Sequence, residues 1–117
     1  MKYVLLFALA AVSLLAADAT GTWTGTFTPE GQEPGTAHIV IKQEGAKVTG
    51  TAGPTADVQH EIQNGKAEDG KLTFDVAGEE TTMKFTLRQE GDQMKGEASR
   101  ERDGQVQKAA VAVTRQK

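Results

Sequence analysis

The sequence predicts an all-β fold, an eight-stranded antiparallel up-and-down meander barrel that follows an N-terminal signal peptide. Three observations support this prediction. Apolar and polar residues alternate with a period of two along most of the chain that follows the signal peptide. A hairpin-like segment at residues 36–53 recurs at residues 82–99, with matching apolar positions and turn glycines. Short turn signals separate the alternating segments, so consecutive strands are expected to be joined by hairpin-sized connections.

The first 19 residues have the pattern of a secretory signal peptide. Met1-Lys2 provides a positive start, residues 3–17 are apolar, and Ala17-Asp18-Ala19 has the small-x-small form of a cleavage site. We therefore predict a leader over 1–19 and a single barrel domain over 20–117, secreted or periplasmic and not bound to a membrane in its mature form. An uncleaved membrane anchor is the alternative, although a spanning helix needs about 20 apolar residues.

Composition and charge exclude several classes of function. The 117 residues suffice for one domain and not for two independent cores. The chain has no cysteine, which excludes disulfide bonds and thiolate metal sites. The net charge of -3, with both signs interspersed, argues against nucleic acid as a partner. The oligomeric state does not follow from the sequence.

The first strand is predicted from Gly21 to Thr28. Trp23 and Phe27 share one face of this segment, and threonines occupy the other face. Threonine favours a pleated strand and tolerates solvent, so the threonine face is expected to be the outer surface. The two prolines and two glycines of Pro29 to Gly35 then predict a loop.

The first copy of the repeat is predicted to form strands two and three. Glu44-Gly45 is expected to make the turn, with Gln43 opposite Ala46. This register places Ile39 opposite Gly50, so that the apolar faces of the two strands match.

The second copy is predicted to form strands six and seven in the same register. Leu87 is then expected opposite Met94, and Phe85 opposite Gly96. A bulky residue opposite a glycine would let the strand bend, as closure of a sheet requires. A last strand is predicted from Gln105 to Arg115.

Strands four and five are predicted over Val58 to Glu68 and Lys71 to Val76, with Asp69-Gly70 as the turn. By strict alternation, Ile62 would point to the opposite face from the apolar residues near the end of its strand. A β-bulge at Asn64-Gly65 would restore it to the inner face, and we predict one there.

Eight strands in a meander either close into a barrel or fold as two packed sheets. Closure removes the exposed strand edges that an exported protein would otherwise have to protect. The recurring glycines opposite bulky residues also suit a curved sheet. The barrel is therefore favoured, and the two-sheet β-sandwich is the alternative.

The two ends of the domain carry a further pattern. Gly21-Thr22-Trp23 on the first strand and Thr114-Arg115 on the last resemble the signature of the calycin superfamily, the lipocalins, avidins and their relatives. The resemblance implies a barrel whose floor is closed by Trp23 and Arg115 packed against each other. It implies no ligand, because the residues with which avidins contact biotin cannot be placed on this chain. In outline, the predicted fold is also similar to that of periplasmic metalloprotease inhibitors.

No group of residues in the sequence indicates catalysis, a cofactor or a metal. Ser99 is far in sequence from His38 and His60, which argues against a Ser-His-Asp arrangement. A metal site needs three or four convergent ligands, and alternation sends Glu61 to the opposite face from His60. We therefore predict that the protein is not an enzyme and has no cofactor.

Two charged segments are interpreted as solvated. Arg100-Glu101-Arg102-Asp103 is balanced in charge and predicts a turn, and Glu79-Glu80 predicts an acidic loop. The residues predicted to face inward are instead almost wholly apolar: Trp23, Phe27, Ala37, Ile39, Ile41, Val48, Ala52, Val58, Ile62, Leu72, Phe74, Val76, Met83, Phe85, Leu87, Met94, Ala98, Ala109, Val111 and Val113.

This interior predicts an exported, non-enzymatic binding module that holds a small apolar ligand in or at the mouth of the barrel. A barrel of eight strands is either filled by its own side chains or just wide enough for one small ligand. The residues predicted to contact the ligand are Ile39, Phe74, Met83, Phe85 and Met94. The alternative is a protein-interaction or inhibitor domain that acts through the loops at Pro29 to Gly35 and Gly53 to Asp57.

Overall fold

A computed structural model describes residues 18–78 and 81–116, which form eight strands closed into one barrel. The strands are β1 Gly21–Pro29, β2 Gly35–Glu44, β3 Lys47–Thr55, β4 Val58–Glu68, β5 Lys71–Ala77, β6 Thr82–Glu90, β7 Gln93–Arg102 and β8 Gln105–Arg115. Each strand pairs antiparallel with the next, and β8 pairs with β1. The predicted up-and-down barrel is confirmed, and the two-sheet alternative is wrong.

The predicted leader falls mostly outside the described residues, which include only its last two positions, Asp18 and Ala19. Within the described ranges, no helix is long and apolar enough to cross a membrane.

Four of the connections between strands are tight turns of two kinds. Asp69-Gly70 and Asp103-Gly104 have positive φ at both positions, between 50° and 81°, as a type I′ hairpin turn requires. Gly45 and Gly91 have φ of 64° and 65° and occupy the first turn position, where a type II′ turn needs glycine. Both turn types match the right-handed twist of the strands that they connect.

The predicted register of the two repeat hairpins is wrong, because the turn glycine sits one position earlier in the turn than expected. Gln43 pairs with Val48 rather than with Ala46. The reason is the positive φ of Gly45, which places the turn at Gly45-Ala46 instead of Glu44-Gly45. A shift of two along the partner strand leaves every side chain on its predicted face.

Bulky residues still pair with glycines, but the partners differ from those that the sequence predicted. Ile41, and not Ile39, faces Gly50. Leu87 faces Gly96 instead of Met94, and Phe85 faces Ala98 instead of Gly96. The glycines therefore still allow close approach of neighbouring backbone in both copies.

The hairpin of β4 and β5 has the predicted register beside its turn, where Glu68 pairs with Lys71. The register then shifts within residues 63–66, and Asn64 has a φ of 53°. This is the predicted bulge. It returns Ile62 to the inner face, where the side chain is buried.

The interior of the barrel is one apolar core. Three residues of the predicted inward set are not fully buried, and one residue outside that set belongs to the core. Val58 is 49% exposed because it begins β4 at the end of the barrel wall. Phe27 and Met83 are only partly buried and pack against the core. Ala19, from the segment before β1, belongs to the core although it was expected in the leader.

Candidate functional site

The barrel has two different ends. The end that we call the floor carries the connections at residues 45–46, 69–70 and 91–92, together with the start of β1 and the end of β8. The end that we call the mouth carries the connections at residues 30–34, 56–57 and 103–104, together with the end of β5 and the start of β6. The inward-facing side chains near the floor, such as Trp23 and Met94, are fully buried, whereas the mouth is open.

Trp23 and Arg115 close the floor. They pair across β1 and β8, and the guanidinium carbon of Arg115 lies 4.6 Å from the centroid of the Trp23 ring. Arg115 Nε donates a hydrogen bond of 2.9 Å to the carboxylate of Asp92, in an ion pair that is partly exposed. The structure thus places together the two side chains that the calycin resemblance implies at this position.

A cavity of about 430 Å³ opens at the mouth. Its deeper wall is apolar and comprises Ala37, Ile39, Ala52, Val76, Met83 and Phe85. Its rim is polar and includes His60, Thr81, Arg100 and Arg102. The small side chains of Ala37 and Ala52 leave space between the larger ones, so the barrel is filled at the floor and hollow at the mouth.

A second cavity of about 250 Å³ adjoins the first, beside β1, β7 and β8. Phe27, Met83 and Arg100 line both cavities. These three side chains therefore stand between the two spaces, and movement of Met83, whose unbranched side chain is flexible, would join them.

The residues predicted to contact a ligand divide into three groups. Ile39, Met83 and Phe85 line the larger cavity. Phe74 lies beneath it and stacks on Phe85, with ring centroids 4.9 Å apart and an interplanar angle of 13°. Met94 does not join them, because it lies near the start of β7, at the floor, and is fully buried there.

The cationic side chains of the rim are candidate binding residues that the sequence analysis missed. Arg100 and Arg102 belong to β7 rather than to a solvated turn, since β7 continues to Arg102. The inward positions Gly96 and Ala98 precede them at spacings of two, so the same parity turns Arg100 and Arg102 towards the barrel axis. Extending that alternation through the charged segment would have identified them from the sequence.

Among the described residues, Arg100 and Arg102 contribute positive charge to the rim. Arg100 Nε donates a hydrogen bond of 2.8 Å to Gln107 Oε1, which holds the guanidinium in place. Among the described residues that line the larger cavity, the ionisable side chains are His60, Arg100 and Arg102, and none is a carboxylate. Glu79-Glu80, the predicted acidic loop between β5 and β6, lies outside the described residues.

The described part of the chain shows no group of three or more histidine, aspartate or glutamate side chains that could hold a metal ion. His60 is exposed at the rim, and its neighbour Glu61 pairs with Thr51 on β3.

The closed eight-stranded antiparallel barrel is consistent with a calycin-like fold. No protein-family model matches the chain, and neither a curated protein nor a solved structure matches it. The argument for function therefore depends on the geometry and chemistry of the mouth.

Proposed function

We propose that this protein is a non-enzymatic binding module that holds one small ligand with an apolar body at the mouth of the barrel. The observation that carries the proposal is the cavity of about 430 Å³, with its apolar wall and cationic rim. Pockets for small ligands have volumes of about 300–1,000 Å³ and combine an apolar lining with a few polar groups. The pattern of a leader before the barrel supports an exported location as part of the same proposal.

The apolar wall favours a ligand that is not highly polar along its length. Phe85 is fixed by its stack on Phe74 and gives the cavity a rigid aromatic surface. Met83 is half-buried and can adapt to the outline of a guest. Each apolar Å² that a ligand removes from water contributes about 25 cal/mol to binding, before the entropic cost of association.

The rim favours a ligand whose polar end is anionic. The hydrogen bond to Gln107 uses Arg100 Nε and orients the guanidinium beside the cavity that Arg100 lines. A guanidinium and a carboxylate form short, charge-assisted hydrogen bonds in a matched planar geometry. An amphipathic carboxylate, with its chain along Met83 and Phe85, would satisfy both parts of the site.

We expect Ala52→Leu to weaken ligand binding by about tenfold or more, because the longer side chain would occupy the cavity that Ala52 lines. The measurement is a fluorescence titration with 1-anilinonaphthalene-8-sulfonate, followed by displacement with decanoate. Ala110→Leu is the matched control, because Ala110 is exposed on the outer face of β8. Dye binding that is equal in the two variants, or no binding to the unchanged protein, would contradict the cavity proposal.

We expect Arg100→Gln to weaken the binding of decanoate by about tenfold and to leave decanol unaffected, since only the carboxylate can form a charge-assisted hydrogen bond. Arg88→Gln serves as the control, because Arg88 is exposed on the outside of β6. Competition titrations of both ligands against the same dye give the ratio of affinities. If Arg100→Gln keeps the preference of the unchanged protein for decanoate, the anionic part of the proposal is wrong.

A second candidate function, a protein-interaction or inhibitor domain, is favoured by two exposed apolar side chains. Val58 and Val106 are 49% and 60% exposed, and they are the first residue of β4 and the second of β8, at the mouth. Chemical cross-linking in a periplasmic extract distinguishes the two functions. A stoichiometric complex that Val58→Ser with Val106→Ser abolishes, and that Ala52→Leu retains, would favour the second candidate.

A further inference from the structure

Three side chains divide the open mouth of the barrel into two spaces. Phe27, Met83 and Arg100 line both the larger cavity and the second cavity. The Phe27 ring packs against Phe85 on the wall of the larger cavity, with ring centroids 6.4 Å apart and an interplanar angle of 45°. The two cavities are therefore neighbours that share one partition made of side chains.

The second cavity differs from the larger one in its hydrogen-bonding groups. Its wall includes the buried Ala98 and Ala109, but two glutamines, Gln32 and Gln107, also line it. Each glutamine carries an amide that can both donate and accept hydrogen bonds. No amide side chain is among the described residues that line the larger cavity. The second cavity thus offers polar contacts that the larger cavity does not.

The second cavity also carries charges of both signs. Among the described residues that line it, the ionisable ones are Glu30, Arg100 and Lys108. Arg100 is oriented there by its hydrogen bond to Gln107 Oε1. Two cations and one carboxylate leave a balance of one positive charge, which is complementary to a ligand group with a single negative charge.

The outer wall of the second cavity is fixed to the barrel. The backbone N–H of Glu30 donates a hydrogen bond of 3.0 Å to the carbonyl oxygen of Lys108. The N–H of Gln32 donates one of 3.0 Å to the carbonyl oxygen of Pro29, which pairs with Ala109 on β8. Binding would therefore not have to order this wall, and that lowers its entropic cost.

The size of the second cavity makes it one part of a larger site. Its volume of about 250 Å³ is below the range of about 300–1,000 Å³ that is typical of pockets for small ligands. It suits a fragment of a ligand rather than a whole one. Met83 is half-buried and flexible, so it can move to let that fragment continue into the larger cavity.

We propose that the second cavity is the subsite for the polar head of the ligand, and that the ligand is an N-acyl amino acid whose acyl chain occupies the larger cavity. The inference rests on the proposed function. The amide of such a ligand has an N–H and a carbonyl that can pair with the amides of Gln32 and Gln107. Its single carboxylate matches the charge of the second cavity. A simple fatty acid has a carboxylate for Arg100 and no group for the two glutamines.

The test compares two ligands of equal chain length that differ by an amide. N-decanoylglycine and tridecanoate share a terminal carboxylate, and only N-decanoylglycine has the amide. Isothermal titration calorimetry with protein made from the full chain, 1–117, is expected to show that N-decanoylglycine binds at least about threefold more tightly, the effect of one net hydrogen bond. Equal or tighter binding of tridecanoate would overturn the inference and leave the proposed function intact. Failure of both ligands and of decanoate to bind would overturn the proposed function as well.

The double variant Gln32→Ala with Gln107→Ala is expected to lose this preference. Movement of Arg100 caused by the loss of Gln107 would affect both carboxylates alike, so it cancels in the ratio of the two affinities. Gln93→Ala is the matched control and is expected to keep the preference, because Gln93 is exposed at the start of β7, at the floor. A double variant that keeps the full preference would overturn the assignment of the head to the second cavity.

Ala109→Leu tests whether the second cavity is occupied. Ala109 is 6% exposed and lines the second cavity but not the larger one. The longer side chain is expected to weaken the binding of N-decanoylglycine by about tenfold and that of decanoate by less than about twofold. Ala110→Leu, on the outer face of β8, is the control. Circular dichroism shows whether Ala109→Leu is folded, and the glutamine variants decide if it is not. Equal weakening of the two ligands in a folded Ala109→Leu would overturn the inference.

Discussion

Gly25→Ala is expected to weaken the closure of the barrel strongly. Gly25 lies on β1 and pairs with Val113 across the seam between β1 and β8. An added Cβ would fall on the carbonyl oxygen of Ala112 and lie 2.8 Å from the Cα of Val113. Both neighbours are backbone atoms of β8, which cannot rotate away as the end of a side chain can. β1 and β8 would therefore have to separate, and the pairing of these two strands closes the barrel.

We expect this change to lower the free energy of unfolding by at least about 3 kcal/mol, the upper end of the usual penalty for overpacking a core. Small domains have total stabilities of about 5–15 kcal/mol, so a large part of the stability would be lost. Urea denaturation, followed by the fluorescence of the single tryptophan, measures the effect.

Gly35→Ala is the matched control for this experiment. Gly35 begins β2, also beside β1, but an added Cβ there would lie 3.5 Å from the carbonyl oxygen of Phe27, an ordinary contact. Its free energy of unfolding is expected to remain within about 0.5 kcal/mol of that of the unchanged protein, in the range typical of surface changes. Similar midpoints for the two alanine variants would show that close approach at Gly25 does not limit closure.

Trp23→Ala is expected to destabilise the protein by about 3–5 kcal/mol, as large-to-small changes at buried aromatic residues do. The ring is fully buried, stacks with Arg115 and donates a hydrogen bond to Ala19. Its loss would leave a cavity in the floor and remove the contacts that hold the ends of the chain together. Circular dichroism in urea measures the change, because the fluorescent residue is removed.

Trp23→Phe separates the two contributions of this residue. Phenylalanine keeps an aromatic ring beside Arg115 and removes the N–H donor, which leaves the Ala19 carbonyl oxygen without its partner. We expect a smaller loss of about 1–3 kcal/mol, the range for a buried polar group left unsatisfied. A loss for Trp23→Phe as large as that for Trp23→Ala would mean that the hydrogen bond, and not the buried area, dominates the floor.

Trp23 lies at the floor, and the proposed ligand site lies at the mouth. Trp23→Phe is therefore expected to bind the dye with unchanged affinity at temperatures where it is folded. Altered affinity in that variant would mean that the floor and the mouth are energetically coupled.

The strands and their faces could be predicted because alternation is a local property. The bulge near Asn64 followed from the parity of Ile62 alone, and the structure confirms it. The register of the repeat hairpins could not be checked in this way, since a shift of two residues preserves parity. The positive φ of Gly45 places this residue at the first position of the turn, which sets the register. The preference of a type II′ turn for glycine at that position was the signal available in the sequence.

The candidate site was only partly predictable, because parity says whether a side chain points inward and not how far along the barrel it lies. Ile39, Met83 and Phe85 meet at the mouth, whereas Met94 has the same inward parity and lies at the floor. The height of a residue along the axis depends on the tilt and stagger of the strands, which are properties of the closed sheet. The second error arose because Arg100 is charged. It was predicted to be solvated, although its position in the alternation turns it inward.

The sequence by itself determined that this protein is all-β, that it has eight strands, and which residues of each strand face the core. Those features depend on residues within a few positions of one another, so the alternation of apolar and polar residues along the chain reveals them. The tertiary structure decided the closure of β1 on β8, the hollow mouth, and the place of Asp18 to Thr20 in the floor. Arg115 binds the Asp18 carbonyl oxygen across 97 positions of sequence, and no local pattern encodes a contact that exists only after the barrel has closed.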